Sequence, residues 1–303
     1  MHSYLYTLVY VIIGVGAGVL SAVFGVGGAA LSTPSIRVMG VSALYAIGTT
    51  LPSVLPGVIT GMYGYRGRKL IRFDIVAIVA PTGILASILG SIYSHKIPGN
   101  GHILMIVTAI ILFANASRLA FSKRKTRDKE RISESDIDIG IVKWRDPIDV
   151  DTKKTQTKSF STSSGVGNLS TAVRTGFDLR SISVLSSTGL LAGLISGMLG
   201  LGGGIVLVPL FVNRLRLPLL QATATSLVCI GVLAIPSIIT HSLIGDINWP
   251  IAAYLTLGTI PGARIGAHLA LRLSESWLRL VAALVLSAIA LVYGVSETIA
   301  LFR

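Results

Sequence analysis

Phe24-Gly-Val-Gly-Gly28, preceded by Gly14-Val-Gly-Ala-Gly18 and followed by Pro34, returns 175 residues later as Leu199-Gly-Leu-Gly-Gly-Gly204. The second copy is likewise preceded by Gly189-Leu-Leu-Ala-Gly193 and followed by Pro209. Each run interrupts an apolar stretch with residues that break helices. Around these runs the chain is 52% hydrophobic and only 13% charged, with a mean hydropathy of +0.76. A water-soluble core does not need so much apolar surface, so the solvent for most of this chain is lipid.

In hydrocarbon every backbone N–H or C=O left without a partner is heavily penalised. Two breaks at equivalent places therefore imply something polar gathered at both. Outward from them, segments of the ~20 residues that span a bilayer run over Leu5–Phe24, Ser42–Tyr63, Phe73–Ser94, His102–Phe121, Val184–Leu199, Ala222–Leu243, Pro250–Leu271 and Leu278–Leu301. Shorter apolar pieces, Ala29–Ile36 and Ile205–Val212, follow the breaks. The first segment lacks the basic start and small-residue cleavage site of a signal peptide, and its motif recurs in mid-chain, so it is expected to be retained.

The duplication extends past the glycines. With a shift of 176, Ala46 matches Ala222, Thr49-Thr50-Leu51 matches Thr225-Ser226-Leu227, Ile71-Arg-Phe73 matches Ile247-Asn-Trp249, and Gly90 matches Gly266. The expected fold is an all-α integral membrane protein made of two homologous repeats of about four transmembrane helices each, with glycine-broken or re-entrant helices. Residues 1–121 form the first repeat and 184–303 the second. Residues 122–183 hold nine of the thirteen acidic residues and much Ser, Thr and Lys. Such a composition buries too little to fold alone, so it reads as a largely disordered hydrophilic linker.

The net charge of +13 might suggest nucleic acid, but its placement does not. The cations sit between spans, at Arg66 to Arg72, Lys123 to Lys125, Arg214 and Arg216, where cytoplasmic loops collect Lys and Arg. If each break merely interrupts a crossing, the halves are parallel. If the chain turns back at each break, each half crosses an odd number of times and the halves are inverted. The second threading gathers loops 66–72, 122–131, 214–216 and 272–279 on one face and fits the positive-inside bias better. Both put the linker in the cytoplasm.

Gly25, Gly27 and Gly28, with Gly200, Gly202, Gly203 and Gly204, expose backbone N–H groups, and each break opens a short helix whose N-terminus favours an anion. Thr49, Thr50, Thr225 and Ser226 add hydroxyls at matched positions. The pairs Gly14/Gly18 and Gly189/Gly193 instead have the spacing of helix packing. Arg264 lies inside a span, where an ionisable group is a functional candidate, although a long cation near a span end also snorkels to the interface. His241 and His268 lie near span ends, and neither has a partner at metal-ligand spacing. The single cysteine, Cys229, forms no internal disulfide or redox pair.

Outside the linker the acidic residues are Asp74, Asp246, Glu275 and Glu297, all near span ends. The expectation is therefore no buried carboxylate, which favours an anionic substrate over a cation. No phosphate loop, nucleophile–base pair or cofactor motif is present, so neither nucleotide-driven transport nor an enzyme is expected.

At these residues the chain resembles the sulfite exporter family of TauE/SafE type, within the wider toluene-sulfonate uptake permease group. The resemblance rests on Phe24-Gly-Val-Gly-Gly28, Gly200-Leu-Gly-Gly-Gly204, Pro34, Pro209, Thr49-Thr50, Thr225-Ser226 and Gly258-Thr-Ile-Pro-Gly-Ala-Arg-Ile-Gly266, and covers all but the linker. Ala29 departs from it where a third glycine would stand, as does Thr50 where serine is common. The resemblance implies a plasma-membrane permease or exporter moving sulfite, sulfonates or related small anions. Its coupling ion would be a proton, or export would follow the membrane potential. An anion channel, or a scaffold acting through the linker, is the alternative.

Overall fold

The computed structural model describes residues 2–66, 70–97, 101–121, 179–273 and 275–301. The expected linker lies outside the described residues except for its last few, which belong to a helix. Every regular element among the described residues is helical. The first half holds α1 (His2–Phe24), α2 (Ala29–Val38), α3 (Ala43–Tyr65), α4 (Phe73–Ser94) and α5 (His102–Phe121). The second holds α6 (Leu179–Leu199), α7 (Gly204–Arg214), α8 (Leu219–Ile244), α9 (Trp249–Arg272) and α10 (Glu275–Leu301). Both halves therefore read long, short, long, long, long.

Five helices, α1, α3, α4, α6 and α8, are long and apolar enough to cross a membrane. The sequence suggested eight such segments. Helices α5 and α10 are also apolar, over His102–Ser117 and Ala283–Val295, whereas α9 carries Arg264, His268 and Arg272. Side chains are distributed as lipid solvent requires. Leu8, Ile12, Leu85, Leu89, Ile110, Leu257 and Leu291 are exposed, whereas Ser32, Thr33, Ser53, Ser87, Ser91, Thr108 and Ser237 are buried. In water that arrangement would be reversed.

With no hydrophobic force between helices in lipid, small residues must let backbones approach. Gly14 lies against Leu255 and Gly258, Gly18 against Thr259 and Ala263, and Gly266 against Val19 and Ala22. Ascending numbers on both sides show that α1 and α9 run in parallel. The matching pair in the other half is α6 on α4, with Gly189 at Val79, Gly193 at Gly83 and Gly197 at Ser87. Helix α3 also runs with α9, Gly57 meeting Thr259 and Gly64 meeting Ala267. It crosses α8 in the opposite sense, Gly61 meeting Leu227 and Gly231 meeting Val58. Thus α1, α3 and α9 point one way and α4, α6 and α8 the other.

The packing predicts a sharp contrast between neighbouring substitutions. A Cβ on Gly258 would already lie 2.7 Å from the Val15 nitrogen. Gly258→Leu should therefore destabilise the protein by at least ~2 kcal/mol through overpacking. Leu257→Ala, on the 62% exposed lipid face, should stay within about 0.5 kcal/mol. Unfolding of both variants in detergent measures the difference.

Candidate functional site

At the end of α1 the chain turns back on itself. Gly28 comes to rest beside Ala17 and the Leu31 side chain beside Gly16, so α2 returns along the helix it follows. The second break does the same, with Gly203 beside Ala192. The reversals depend on left-handed backbone at Gly25 (φ +62°) and Gly200 (φ +66°), which glycine adopts without steric cost.

Each loop is buried against the other half. Gly25 lies on Thr223 and Ser226 at the start of α8, and Gly200 lies on Ile47 at the start of α3. The loops also meet directly: Gly27 approaches the Leu201 carbonyl, and Gly204 approaches the Gly25 carbonyl. A Cβ on Gly27 would stand 2.7 Å from that Leu201 oxygen. Close backbone approach is thus a second reason for glycine. Gly202, packed on Ile230 with Val54 nearby, completes the junction.

The four hydroxyls singled out in the sequence divide into two kinds. Thr49 Oγ1 accepts the Asn248 backbone N–H at 2.9 Å, and Thr225 Oγ1 accepts the Arg72 N–H at 3.2 Å. These are equivalent bonds at equivalent positions, each tying a half to the helix entry of its partner half. The other two stand at the loops. Ser226 Oγ donates to the Gly25 carbonyl at 2.9 Å, and Thr50 Oγ1 shares a 2.9 Å hydrogen bond with Thr33 Oγ1 on α2. All four threonines and serines are fully buried.

Three further residues belong here that sequence reasoning missed. Ser21 Oγ, Ser196 Oγ and Thr223 Oγ1 are buried side-chain oxygens with no hydrogen-bond partner. Ser21 and Ser196 occupy matching places in the last turns of α1 and α6, where their carbonyls accept the Gly25 and Gly200 N–H groups. Thr223 touches Gly25. The signal available in the sequence was the match of Ser21 to Ser196 at the same shift as the glycines. Orphaned buried hydroxyls are uncommon because their desolvation is uncompensated, and these three sit around one pair of loops.

Arg264 is elsewhere. Gly262, Ala263, Gly266 and Ala267 form the small buried face of α9, so helical periodicity turns Arg264, Ile265 and His268 to its exposed side. That position suits snorkelling rather than contact with the loops. The expectation of no buried carboxylate also needs correction. The Gly245 turn (φ +90°) folds the chain after α8 so that the Asp246 N–H bonds back to the His241 carbonyl, which leaves Asp246 only 6% exposed. Its Oδ2 lies 3.1 Å from His241 Nδ1 and 2.6 Å from His95 Nε2. The sequence distance between His95 and Asp246 hid this cluster.

Elsewhere, a half-open and mainly apolar cavity of about 690 Å³ lies at the α3–α4 connection, lined by Ile59, Met62, Tyr65 and Leu70 among others. Tyr65 connects its wall to the loop region, because its hydroxyl donates to the Ala22 carbonyl at 2.6 Å.

A probable membrane transporter protein of Xylella fastidiosa (strain Temecula1 / ATCC 700964) is 35% identical over 98 residues, 32% of this chain and 38% of that protein. At that identity this chain spans well under half of its relative. Longer and weaker similarity joins it to two Bacillus subtilis (strain 168) proteins. Probable membrane transporter protein YjnA is 24% identical across 90% of this chain and 94% of its own length. Probable membrane transporter protein YunE is 22% identical across 86% and 87%. No solved structure matches the chain. The family model described as sulfite exporter TauE/SafE matches residues 10–293, nearly the whole sequence and both glycine loops. This chain belongs to the sulfite exporter TauE/SafE family.

Proposed function

We propose that this protein is a secondary membrane carrier for a small sulfur-containing anion, a sulfite or an organosulfonate, bound where the two glycine loops meet. The observation that carries the reading is the set of orphaned hydroxyls, Ser21, Ser196 and Thr223, around Gly25 and Gly200. Hydroxyl hydrogens and the first-turn amides of α2 and α7 that the Gly27, Gly28 and Gly203 carbonyls do not take up are donors, and the helix dipoles add partial positive charge. A neutral, donor-rich junction suits an anion that sheds its water readily. Thr50, Ser226 and the glycines Gly25, Gly27, Gly28, Gly200, Gly202, Gly203 and Gly204 complete the lining, while Thr49 and Thr225 hold the halves in register.

The halves act as inverted repeats. The opposed directions of α1 and α6, of α3 and α8, and of α4 and α9 support this arrangement. It places the basic loops and the central linker on the cytoplasmic face of the cell membrane, with the Tyr65 cavity facing inward. Rocking of one half against the other about the loop junction gives alternating access. An inside-negative potential contributes ~2.3 kcal/mol per charge per 100 mV to anion export.

Flux of labelled sulfite, thiosulfate, taurine and sulfoacetate into proteoliposomes tests the reading. Saturable flux stimulated by substrate on the opposite side is expected for at least one. Flux that neither saturates nor responds to opposite substrate would identify a channel instead. The orphaned hydroxyls add a distinctive signature. Ser21→Ala, Ser196→Ala and Thr223→Val remove groups that no protein partner satisfies, so folding stability should be unchanged or rise by up to ~1 kcal/mol. The same variants should raise KM several-fold. Unchanged flux in all three would sink the site. A chain lacking residues 126–176 should retain transport, whereas loss of flux in that folded variant would move the function to the linker.

A further inference from the structure

We infer that His95, Asp246 and His241 form a proton-binding site that is coupled to the glycine loop of the second half; the coupling rests on the carrier reading above. The argument begins with acceptors. His241 Nε2 lies 3.2 Å from the Gly197 carbonyl, and His95 Nδ1 lies 3.3 Å from the Ser91 carbonyl. A carbonyl only accepts, so each of these nitrogens carries a hydrogen. The Ser94 hydroxyl donates to Ser91 O at 2.7 Å and is left to accept from His95 Nδ1 at 3.1 Å, which agrees.

The remaining ring nitrogens, His95 Nε2 and His241 Nδ1, both face the same oxygen, Asp246 Oδ2. With no proton between them, two nitrogen lone pairs oppose a carboxylate. One proton satisfies only one of the contacts. Two protons satisfy both, giving two imidazolium rings on one carboxylate and a net charge of +1. The group is therefore built to gain and lose protons in a buried setting. Burial alone would raise the Asp246 carboxyl, but the His241 hydrogen bond and the adjacent His95 and His241 charges outweigh it, holding the group below the usual carboxylate range.

Just past the end of α4, among the described residues, stands Lys96, whose ammonium lies over the Tyr93 ring. The contacts from α6 and α3 are made by Gly197 and Gly48, and the Asp246 backbone packs directly on Gly48. His95 is 27% exposed at its side chain and His241 fully buried, so the group leads from solvent inward. Both imidazoles reach the carboxylate at hydrogen-bond length, and no metal-holding group of three His, Cys, Asp or Glu occurs among the described residues.

Two contacts link the site to the loops. Gly197 lies one turn before Gly200 on α6. On the other side Gly48 precedes Thr49, whose hydroxyl holds Asn248 in the same turn as Asp246. The equivalent of His241 in the first half, 176 residues earlier, is Tyr65. Its hydroxyl bonds the Ala22 carbonyl, three residues before Gly25, as His241 bonds Gly197 three residues before Gly200. Bracing the loop therefore needs no titratable group. The imidazole–carboxylate set adds charge on one face only, the outer one in the inverted arrangement, and its loaded form favours an anion at the loops.

The test uses the full chain. Nitrogen-15 NMR of histidine-labelled protein in nanodiscs reads the site without any substrate. Across a pH series one ring should pass between its singly and doubly protonated forms, with the transition shifted in Asp246→Asn. Flux of isethionate, a sulfonate whose own charge stays fixed over this range, reads the coupling. Its log KM should rise by about one per pH unit as the outer pH rises, and flatten in Asp246→Asn and in the more exposed His95→Gln. His241→Gln keeps a donor for Gly197 and should fold, move isethionate and lose the pH dependence. Rings fixed as single neutral tautomers across the range would overturn the proton site. A titrating site with pH-independent isethionate flux would overturn the coupling. Titration without isethionate flux would uphold the proton site and count against the carrier reading alone.

Discussion

Reversing a chain inside hydrocarbon exposes backbone groups that no lipid can satisfy, and the arrangement of this protein follows from burying two such reversals. Each glycine loop finds cover on the opposite half, Gly25 on the start of α8 and Gly200 on the start of α3. Neither half can bury its own loop in this way. The exchange accompanies the crossing of α3 and α8 at Val58 and Gly231 and brings the loops into backbone contact at Gly27 and Leu201. The long helices need only pack around it, and glycine seams do that on both sides.

Polar groups near the junction serve two purposes that residue type does not separate. Thr49 and Thr225 are structural: each accepts a backbone N–H that begins a helix of the other repeat. Ser21, Ser196 and Thr223 satisfy nothing in the protein. A buried hydroxyl without a partner costs stability, which is why the proposed anion site is placed at this junction. Under the proposed carrier reading, stability and transport therefore report on different members of one small cluster.

The likeness of the two halves is broken beside their loops, where the proposed carrier would need its two faces to differ. Tyr65 and His241 make the same kind of bond to the helix ahead of their loops, yet only His241 continues to a carboxylate and a second imidazole. The Tyr65 phenol lines a cavity beside one loop, and an imidazole–carboxylate cluster stands beside the other. Two copies of one repeat thus become unequal through a handful of side chains.

The sequence by itself determined the medium and the helices, because hydropathy and glycine position are local or periodic properties, and internal matching raised the expectation of two repeats. It also located both breaks, since Gly25 to Gly28 and Gly200 to Gly204 interrupt apolar runs in plain view, and it assigned Gly14/Gly18 and Gly189/Gly193 to packing. Only the tertiary structure decided which hydroxyls are occupied, because Thr49 and Thr50 are adjacent in the chain but meet different partners. Helical phase alone turned Arg264 outward. His95 and Asp246, half a chain apart, became neighbours only when α4 and α8 ended side by side, and the turn at Gly245 then buried a carboxylate that its place at a span end had marked as exposed.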